Sequence, residues 1–176
     1  MIRLEDHIRD VPDFPRKGIR FKDIMPLLQS PEAFRAAVEA LAGRVERPDA
    51  VVGIESRGFL FGAPLALHWR VPFAPARKFG KLPGRTVRQV YSLEYGEDTL
   101  ELHADALRKG QRAVIVDDLL ATGGTALATT QLVHQLAAEV AAALFVVELV
   151  GLGGRYRLAP LPVHALLQLP LEARRP

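Results

Sequence analysis

Asp117 and Asp118 are adjacent carboxylates, and a run of small and hydroxyl residues follows them directly: Leu119-Leu120-Ala121-Thr122-Gly123-Gly124-Thr125-Ala126. Two carboxylates side by side suit vicinal sugar hydroxyls, with a divalent cation nearby. A phosphate placed directly on them would be repelled. The run that follows has the opposite chemistry. Gly123 and Gly124 permit a sharp turn and bare N–H groups, Thr122 and Thr125 add hydroxyls, and a helix start adds the positive end of its dipole. That combination is a phosphate cradle, and the two parts together imply a ribose 5-phosphate as ligand. No Gly-Lys-Ser/Thr follows, so this is not a Walker A loop. Taken singly, each residue fits a plain strand–turn–helix junction, but the uninterrupted string does not.

Such a site needs a rigid frame. Val114-Ile115-Val116 reads as a buried parallel strand whose end carries the two aspartates, and Ala126 to Ala138 reads as the helix that follows. In open α/β sheets, ligands bind beyond the carboxyl ends of the strands. Along the rest of the chain, Leu4 to Arg9 predicts a short helix, and Val11 to Asp23, with Pro12, Pro15 and Gly18, a loop. Pro31 to Val45 predicts a helix capped by Ser30. Asp49 to Glu55 is a strand and Phe59 to Trp69 a helix in which Pro64 can place a kink. Val71 to Arg77 is a short strand, Gly80 to Gly96 a mobile hairpin, and Leu102 to Lys109 a helical connector. Arg112 to Val116 is the central strand and Ala141 to Val150 the next. Gly151 to Pro162 is loop-like, and Val163 to Leu169 is a last edge strand. Strands alternating with helices predict one α/β domain over residues 1–176, with a mostly parallel sheet flanked by helices.

Two further constellations carry charge where it can act. Glu55-Ser56-Arg57-Gly58 ends a strand and opens a helix, so Arg57 beside exposed amides suits a diphosphate. The basic stretch from Arg77 through Lys81 to Arg85 leads into Tyr91-Ser92-Leu93-Glu94-Tyr95-Gly96. A mobile cationic loop of this kind closes over a polyanion and excludes water, and Arg77, Lys81 and Glu94 are its candidate functional residues. In the N-terminal segment, Phe21 stands between Arg20 and Lys22, where it can stack on a planar base or anchor the core. The five histidines show no metal-ligand spacing, and no Ser-His-Asp pattern is present.

Bulk properties narrow the class. The chain has 176 residues, 49% of them hydrophobic, with a net charge of +3 and no cysteine. The charge excess is modest and forms no aromatic-interleaved basic block, which argues against nucleic acid as partner. No apolar run reaches membrane-spanning length. A charged N-terminus and the lack of cysteine set the expectation of a cytoplasmic protein.

In order along the chain, Phe14-Pro15, Gly18-Ile19-Arg20-Phe21-Lys22-Asp23-Ile24, Glu55-Ser56-Arg57-Gly58-Phe59, Gly80-Lys81-Leu82-Pro83, Leu93-Glu94-Tyr95-Gly96 and the Asp117-Asp118 signature resemble the adenine phosphoribosyltransferases. The signature alone resembles the wider type I phosphoribosyltransferase superfamily; the Glu-Ser-Arg-Gly-Phe and Leu-Glu-Tyr-Gly strings narrow it to adenine. The resemblance covers the chain from Phe14 to about Leu169. It implies a type I phosphoribosyltransferase-like fold, with residues 1–30 as an N-terminal base-binding hood and residues 80–96 as a flexible active-site loop. The implied reaction is purine salvage: adenine and phosphoribosyl diphosphate (PRPP) give AMP and diphosphate, with Mg²⁺, in a homodimer.

By the same resemblance, Asp117 and Asp118 hold the ribose hydroxyls, with Mg²⁺ held mainly by PRPP and one of the two nearby. Ala121, Thr122, Gly123, Gly124 and Thr125 cradle the 5-phosphate. Glu55, Ser56, Arg57, Gly58 and Lys81 hold diphosphate, with Arg77, acting from its own or a partner subunit. Phe21 and Leu149 sandwich adenine, main-chain groups near Arg20 and Lys22 read its edge, and Glu94 orients or deprotonates it. Related folds hold a cis peptide at the diphosphate turn, which implies one between Glu55 and Ser56. Arg85, Arg88 and Gln89 depart from the family pattern.

Two rivals stay open from the sequence. One is a superfamily enzyme acting on xanthine, hypoxanthine or orotate, which the choice of base decides. The other is a regulatory PRPP-binding module without activity, although the region before Phe14 is too short for a helix-turn-helix.

Overall fold

A computed structural model of the chain describes residues 2–92 and 96–170. Seven strands form the main sheet: β3 (Ala50–Ile54), β4 (Phe73–Lys78), β5 (Thr86–Ser92), β6 (Glu97–His103), β7 (Arg112–Leu120), β8 (Glu139–Val150) and β9 (Val163–Pro170). Their order is β5-β6-β4-β3-β7-β8-β9. From β4 across to β9 every pairing is parallel, and only β6 runs antiparallel to its neighbours β4 and β5. The mostly parallel sheet and the edge position of β9 agree with the sequence expectation.

Alternation along the central strands divides the core. Ala113 and Ile115 of β7 join one apolar layer; Val114 and Val116 join the other. The first layer is closed by α4 (Gly124–Gln135), through Ala128, Leu132 and Val133. The second is closed by α2 (Pro31–Ala42) and α3 (Gly58–Trp69). In α2, Ala33, Ala37 and Leu41 recur at four-residue intervals and are all fully buried. Ser30 caps it as expected, its hydroxyl accepting from the Ala33 N–H at 3.2 Å. α3 continues through Pro64 to Trp69. A short helix, α1 (Met25–Gln29), precedes α2. Among the described residues, no helix is long and apolar enough to cross a membrane.

Four expectations need correction. The segment from Val11 to Asp23 is not all loop, because β1 (Arg9–Val11) pairs antiparallel with β2 (Phe21–Asp23). The expected helix at Leu102–Lys109 is instead the end of β6 and a turn. Its residues are good helix formers, but Leu100 and Leu102 fall on one face at period two, and β5 pairs with β6 from Thr86↔His103 to Ser92↔Glu97. Tertiary pairing overrides local propensity here. β7 does not end at the aspartates but runs on to Leu120. The loop after β8 contains a short helix, α5 (Gly154–Leu158).

β6 also buries a charge. Glu101, 1% exposed, accepts from the Gly80 N–H (2.9 Å), the Thr86 hydroxyl (3.1 Å) and Arg88 Nε (2.8 Å). Arg88, one of the departures from the family pattern, also lies over the Phe79 ring at 4.7 Å. Burial alone would raise the Glu101 pKa, but these donors outweigh it and hold the carboxyl below its ordinary 4.5. A depressed pKa contributes stability above 4.5 that is lost as pH falls through the folded-state value. Glu101→Gln is therefore expected to cost about 2 kcal/mol at pH 7, for charge-assisted bonds made neutral. In melting curves against pH, the gap between wild type and variant should shrink below pH 4.5. A gap that widened with acid would contradict the assignment.

Candidate active site

Residues 121–125, expected from the sequence to cradle a phosphate, join β7 to α4. Gly123 caps α4 with φ +77°, a left-handed conformation that favours glycine. A cavity of about 90 Å³ is lined by Asp117, Phe145 and every residue from Leu119 to Ala126. That is roughly three times the volume of one liquid water, the scale of a phosphate group. Ala121, Thr122, Gly123, Gly124 and Thr125 thus share one small polar cavity with Asp117. The Tyr91 hydroxyl donates to Asp98 at 3.3 Å, bridging the two strands of the β5–β6 hairpin.

The acidic pair is divided by the pleat. Asp118 is 2% exposed, whereas Asp117 is half-buried at the cavity floor. Asp117 Oδ1 accepts from the Asp118 N–H at 2.9 Å. Arg57 Nε lies 3.0 Å from Asp118 Oδ2. No N–H is aimed at that oxygen, which accepts no hydrogen bond although fully buried. The contact is therefore an ion pair that leaves an acceptor unspent. Burial raises both carboxyls above their ordinary 3.8; the neighbouring Asp118 charge raises Asp117 further, while Arg57 opposes the rise at Asp118.

The N-terminus of α3 reaches the same point from the other side. A Cβ added to Gly58 would stand 2.5 Å from the Val116 carbonyl and 3.1 Å from Asp117 Oδ1. Only glycine lets the turn before α3 touch the acidic pair. The Glu55–Ser56 peptide before it is cis, as the resemblance implied. Ser56 is exposed and Arg57 half-buried. The Arg57 guanidinium also lies over the Phe21 ring at 5.1 Å, and Phe14 packs edge-on to Phe21 at 5.2 Å. One arginine thus joins the proposed ribose, diphosphate and base subsites.

Glu55 faces away from this junction. It takes Arg77 Nε (3.2 Å) and Nη2 (3.1 Å) and the Lys78 N–H (2.8 Å). Burial pushes its carboxyl up, and these donors more than offset that. Arg77 is occupied within its own chain, since Nη1 also donates to the Lys81 carbonyl at 3.2 Å. It thereby fixes the root of the loop that carries exposed Lys81. Lys78 pairs with Asp98 at 3.1 Å.

Arg20, Phe21 and Lys22 lie together at β2. Lys22 Nζ stands 2.5 Å and Arg20 3.8 Å from the Asp10 carboxylate, leaving the main chain to carry any base readout. Leu149, half-buried near the end of β8, packs on the second core layer. Glu94 lies outside the described residues. Sequence reasoning missed two buried glutamates, Glu101 and Glu148. Glu148 takes Arg155 at Nε (3.1 Å) and Nη2 (2.5 Å) and Gln168 at 3.1 Å. For Glu148 the signal was available: a carboxylate amid an apolar strand run must find partners.

Comparison with known proteins agrees with this geometry. Residues 25–155 match the phosphoribosyl transferase domain family. The adenine phosphoribosyltransferase of Carboxydothermus hydrogenoformans is 56% identical over 167 residues, covering 94% of this chain and 98% of that protein. The crystal structure of the enzyme from Thermoanaerobacter pseudethanolicus superposes with a TM-score of 0.91 at 48% identity, covering 95% and 100% of the two chains. That from Saccharomyces cerevisiae, complexed with an imino-altritol bisphosphate and adenine, gives 0.88 at 42% identity over 93% and 96%. With that identity along nearly its whole length and the loop at residues 121–125, the acidic pair and the turn at residues 55–58 gathered at the carboxyl ends of the central strands β3 and β7, the chain belongs to the adenine phosphoribosyltransferases, which move the phosphoribosyl group of PRPP onto adenine in purine salvage.

Proposed function

We propose that the cavity between β7 and α4 takes the 5-phosphate of PRPP and that Asp117 and Asp118 receive its ribose hydroxyls. The observation that carries this is the phosphate-sized cavity that Asp117 shares with residues 121–125, next in the chain to Asp118, whose buried Oδ2 is an unspent acceptor. The amides and Arg57 at the start of α3 then face the diphosphate, with Lys81 closing from above. Arg57 exchanges its contact with Asp118 for diphosphate oxygens as the ligand enters. Phe21 stacks on adenine, Leu149 covers the opposite face, and main-chain groups near Arg20 and Lys22 read the edge. Glu94 orients the base or takes its proton.

The chemistry follows from where charge develops. As the bond from C1 to diphosphate breaks, the ribose becomes cationic, and the adjacent carboxylates favour that charge. N9 of adenine attacks from the face opposite the departing diphosphate. Closure of residues 80–96 keeps water from the cationic ribose. The site also fits Mg²⁺, since Asp117 and Asp118 offer hard oxygen donors and one is unspent. Among the described residues, no group of three or more metal-ligating side chains exists; PRPP oxygens would supply most of the coordination. When bound, the ion neutralises charge on the departing diphosphate.

The same reading makes the enzyme a homodimer. α3 is apolar almost all round: Phe61, Leu65 and Trp69 enter the core, while Leu60 and Leu67 point outward, Leu67 80% exposed. A helix apolar on both faces expects a second partner. The cytoplasm is the compartment this reading assigns, in keeping with a chain free of cysteine.

Calorimetry tests the phosphate assignment. Thr122→Val and Thr125→Val each remove one hydroxyl from the cavity and are expected to weaken ribose 5-phosphate binding by about five- to tenfold, one charge-assisted hydrogen bond each. Unchanged affinity in both variants would move the phosphate elsewhere.

A further inference from the structure

We infer that Gly154, at the start of α5, is a positioning residue: it forms the back wall against which the phosphate loop is held. The inference rests on the reading of residues 121–125 as the phosphate site and adds a determinant outside them. Two chain segments meet here backbone to backbone. A Cβ added to Gly154 would lie 2.3 Å from the Ala121 carbonyl oxygen and 2.8 Å from Leu120 Cδ1. From the other side, a Cβ on Gly123 would lie 2.8 Å from the Gly154 carbonyl oxygen. Neither loop can carry a side chain at the contact without moving, and the obstacle is main chain rather than a flexible side chain. The wall is itself anchored. Arg155, the next residue, makes its two-point pair with buried Glu148 and donates to the Val163 carbonyl at 2.6 Å. Those bonds fix α5 to β8 and β9, so any bulk added at Gly154 is relieved by the phosphate loop rather than by α5.

The adjacent glycine supplies the control. Gly153 has φ +75°, so alanine there is strained, but its added Cβ meets nothing within 4 Å. Gly153→Ala loads the same turn without pushing on Ala121. Gly154→Ala pushes directly on the loop while its own φ lies outside the left-handed range.

The test is calorimetry with ribose 5-phosphate, beside melting temperatures, on the full chain. Gly154→Ala is expected to weaken binding at least about tenfold, the scale of a loop displaced by a fraction of an ångström to an ångström. In steady-state assays the same variant should raise KM for PRPP far more than it lowers kcat. Gly153→Ala is expected to lower the melting temperature and leave ribose 5-phosphate affinity unchanged. If Gly154→Ala does not fold, Glu148→Gln serves instead: it keeps the shape of the residue that ties Arg155 and should weaken binding by about two- to fivefold. Equal affinity losses in Gly153→Ala and Gly154→Ala would reduce the effect to general destabilisation and overturn the inference, as would unchanged affinity in a folded Gly154→Ala or Glu148→Gln. Thr125→Val separates the two readings. If it weakens binding and Gly154→Ala does not, the wall is wrong and the phosphate site stands; if Thr125→Val also leaves binding unchanged, the phosphate site itself is wrong.

Discussion

Replacing Asp117 and Asp118 together by Asn lowers kcat/KM for PRPP by at least about a hundredfold, while the melting temperature at pH 7 stays the same or rises. The activity loss follows from two charged acceptors becoming neutral. Hydrogen bonds to charged groups contribute about 1.5–3 kcal/mol each, so two of them cover a factor of a hundred or more. The stability side runs the other way. Burial holds both carboxyls above their ordinary 3.8. A carboxyl with a raised folded-state pKa contributes most below its unfolded value, and that contribution is lost as pH rises through the folded value. At pH 7, far above their ordinary 3.8, burying the pair therefore costs stability that Asn does not. Arg57, left without Asp118, is half-exposed and solvated. Calorimetry with PRPP and a thermal melt read the two effects separately. Loss of activity together with a large drop in melting temperature would mean that the pair holds the fold and not the substrate.

The second large effect is at the base subsite. Phe21→Ala is expected to weaken adenine use by about ten- to a hundredfold, since stacking of a base on an aromatic ring contributes about 1–3 kcal/mol. Arg57 also leans on the Phe21 ring, so the loss should extend in part to KM for PRPP. What should not change is the choice of base. Adenine presents an amine donor and an N1 acceptor, whereas a 6-oxopurine exchanges both. If a main-chain carbonyl near Arg20 and an amide near Phe21 or Lys22 do the reading, hypoxanthine meets two mismatched polar pairs. At about 1–3 kcal/mol each, these give a hundredfold or greater discrimination. Lys22 is held by Asp10, so Lys22→Ala should leave that ratio within about twofold. A Phe21→Ala variant that gained a preference for hypoxanthine would show that the ring, not the main chain, sets specificity.

The contrast between these sites explains what the sequence could reveal. The phosphate loop is contiguous, and each of its residue types has one local use, so its place at a strand–helix junction was legible. The apolar runs of β3, β7 and β8 were legible for the same reason. Leu102–Lys109 was not, because its composition suits a helix, whereas pairing with Thr86 and Val87 draws Leu102 and His103 into β6 and leaves the rest as a turn. The β1–β2 pair was hidden by two three-residue strands, too short for a period, on either side of a Pro-Gly loop. Arg57 was placed beside diphosphate from its turn alone. Its ion pair with Asp118 and its position over Phe21 join residues far apart in sequence and emerge only when the sheet brings them together. Glu148 was missed because the strand around it reads as apolar, and Glu101 because the strand that buries it, Glu97–His103, was not expected.

The most direct measurement gives the enzyme PRPP, Mg²⁺ and an equimolar mixture of adenine, hypoxanthine and guanine, and identifies the nucleotides formed while counting the diphosphate released. AMP is expected as the dominant nucleotide, with one diphosphate per AMP and no release in the Asp117→Asn, Asp118→Asn double variant above about one hundredth of the wild-type rate. IMP or GMP formed as fast as AMP would contradict the adenine assignment, and undiminished release by the double variant would contradict the acidic pair as the seat of the reaction.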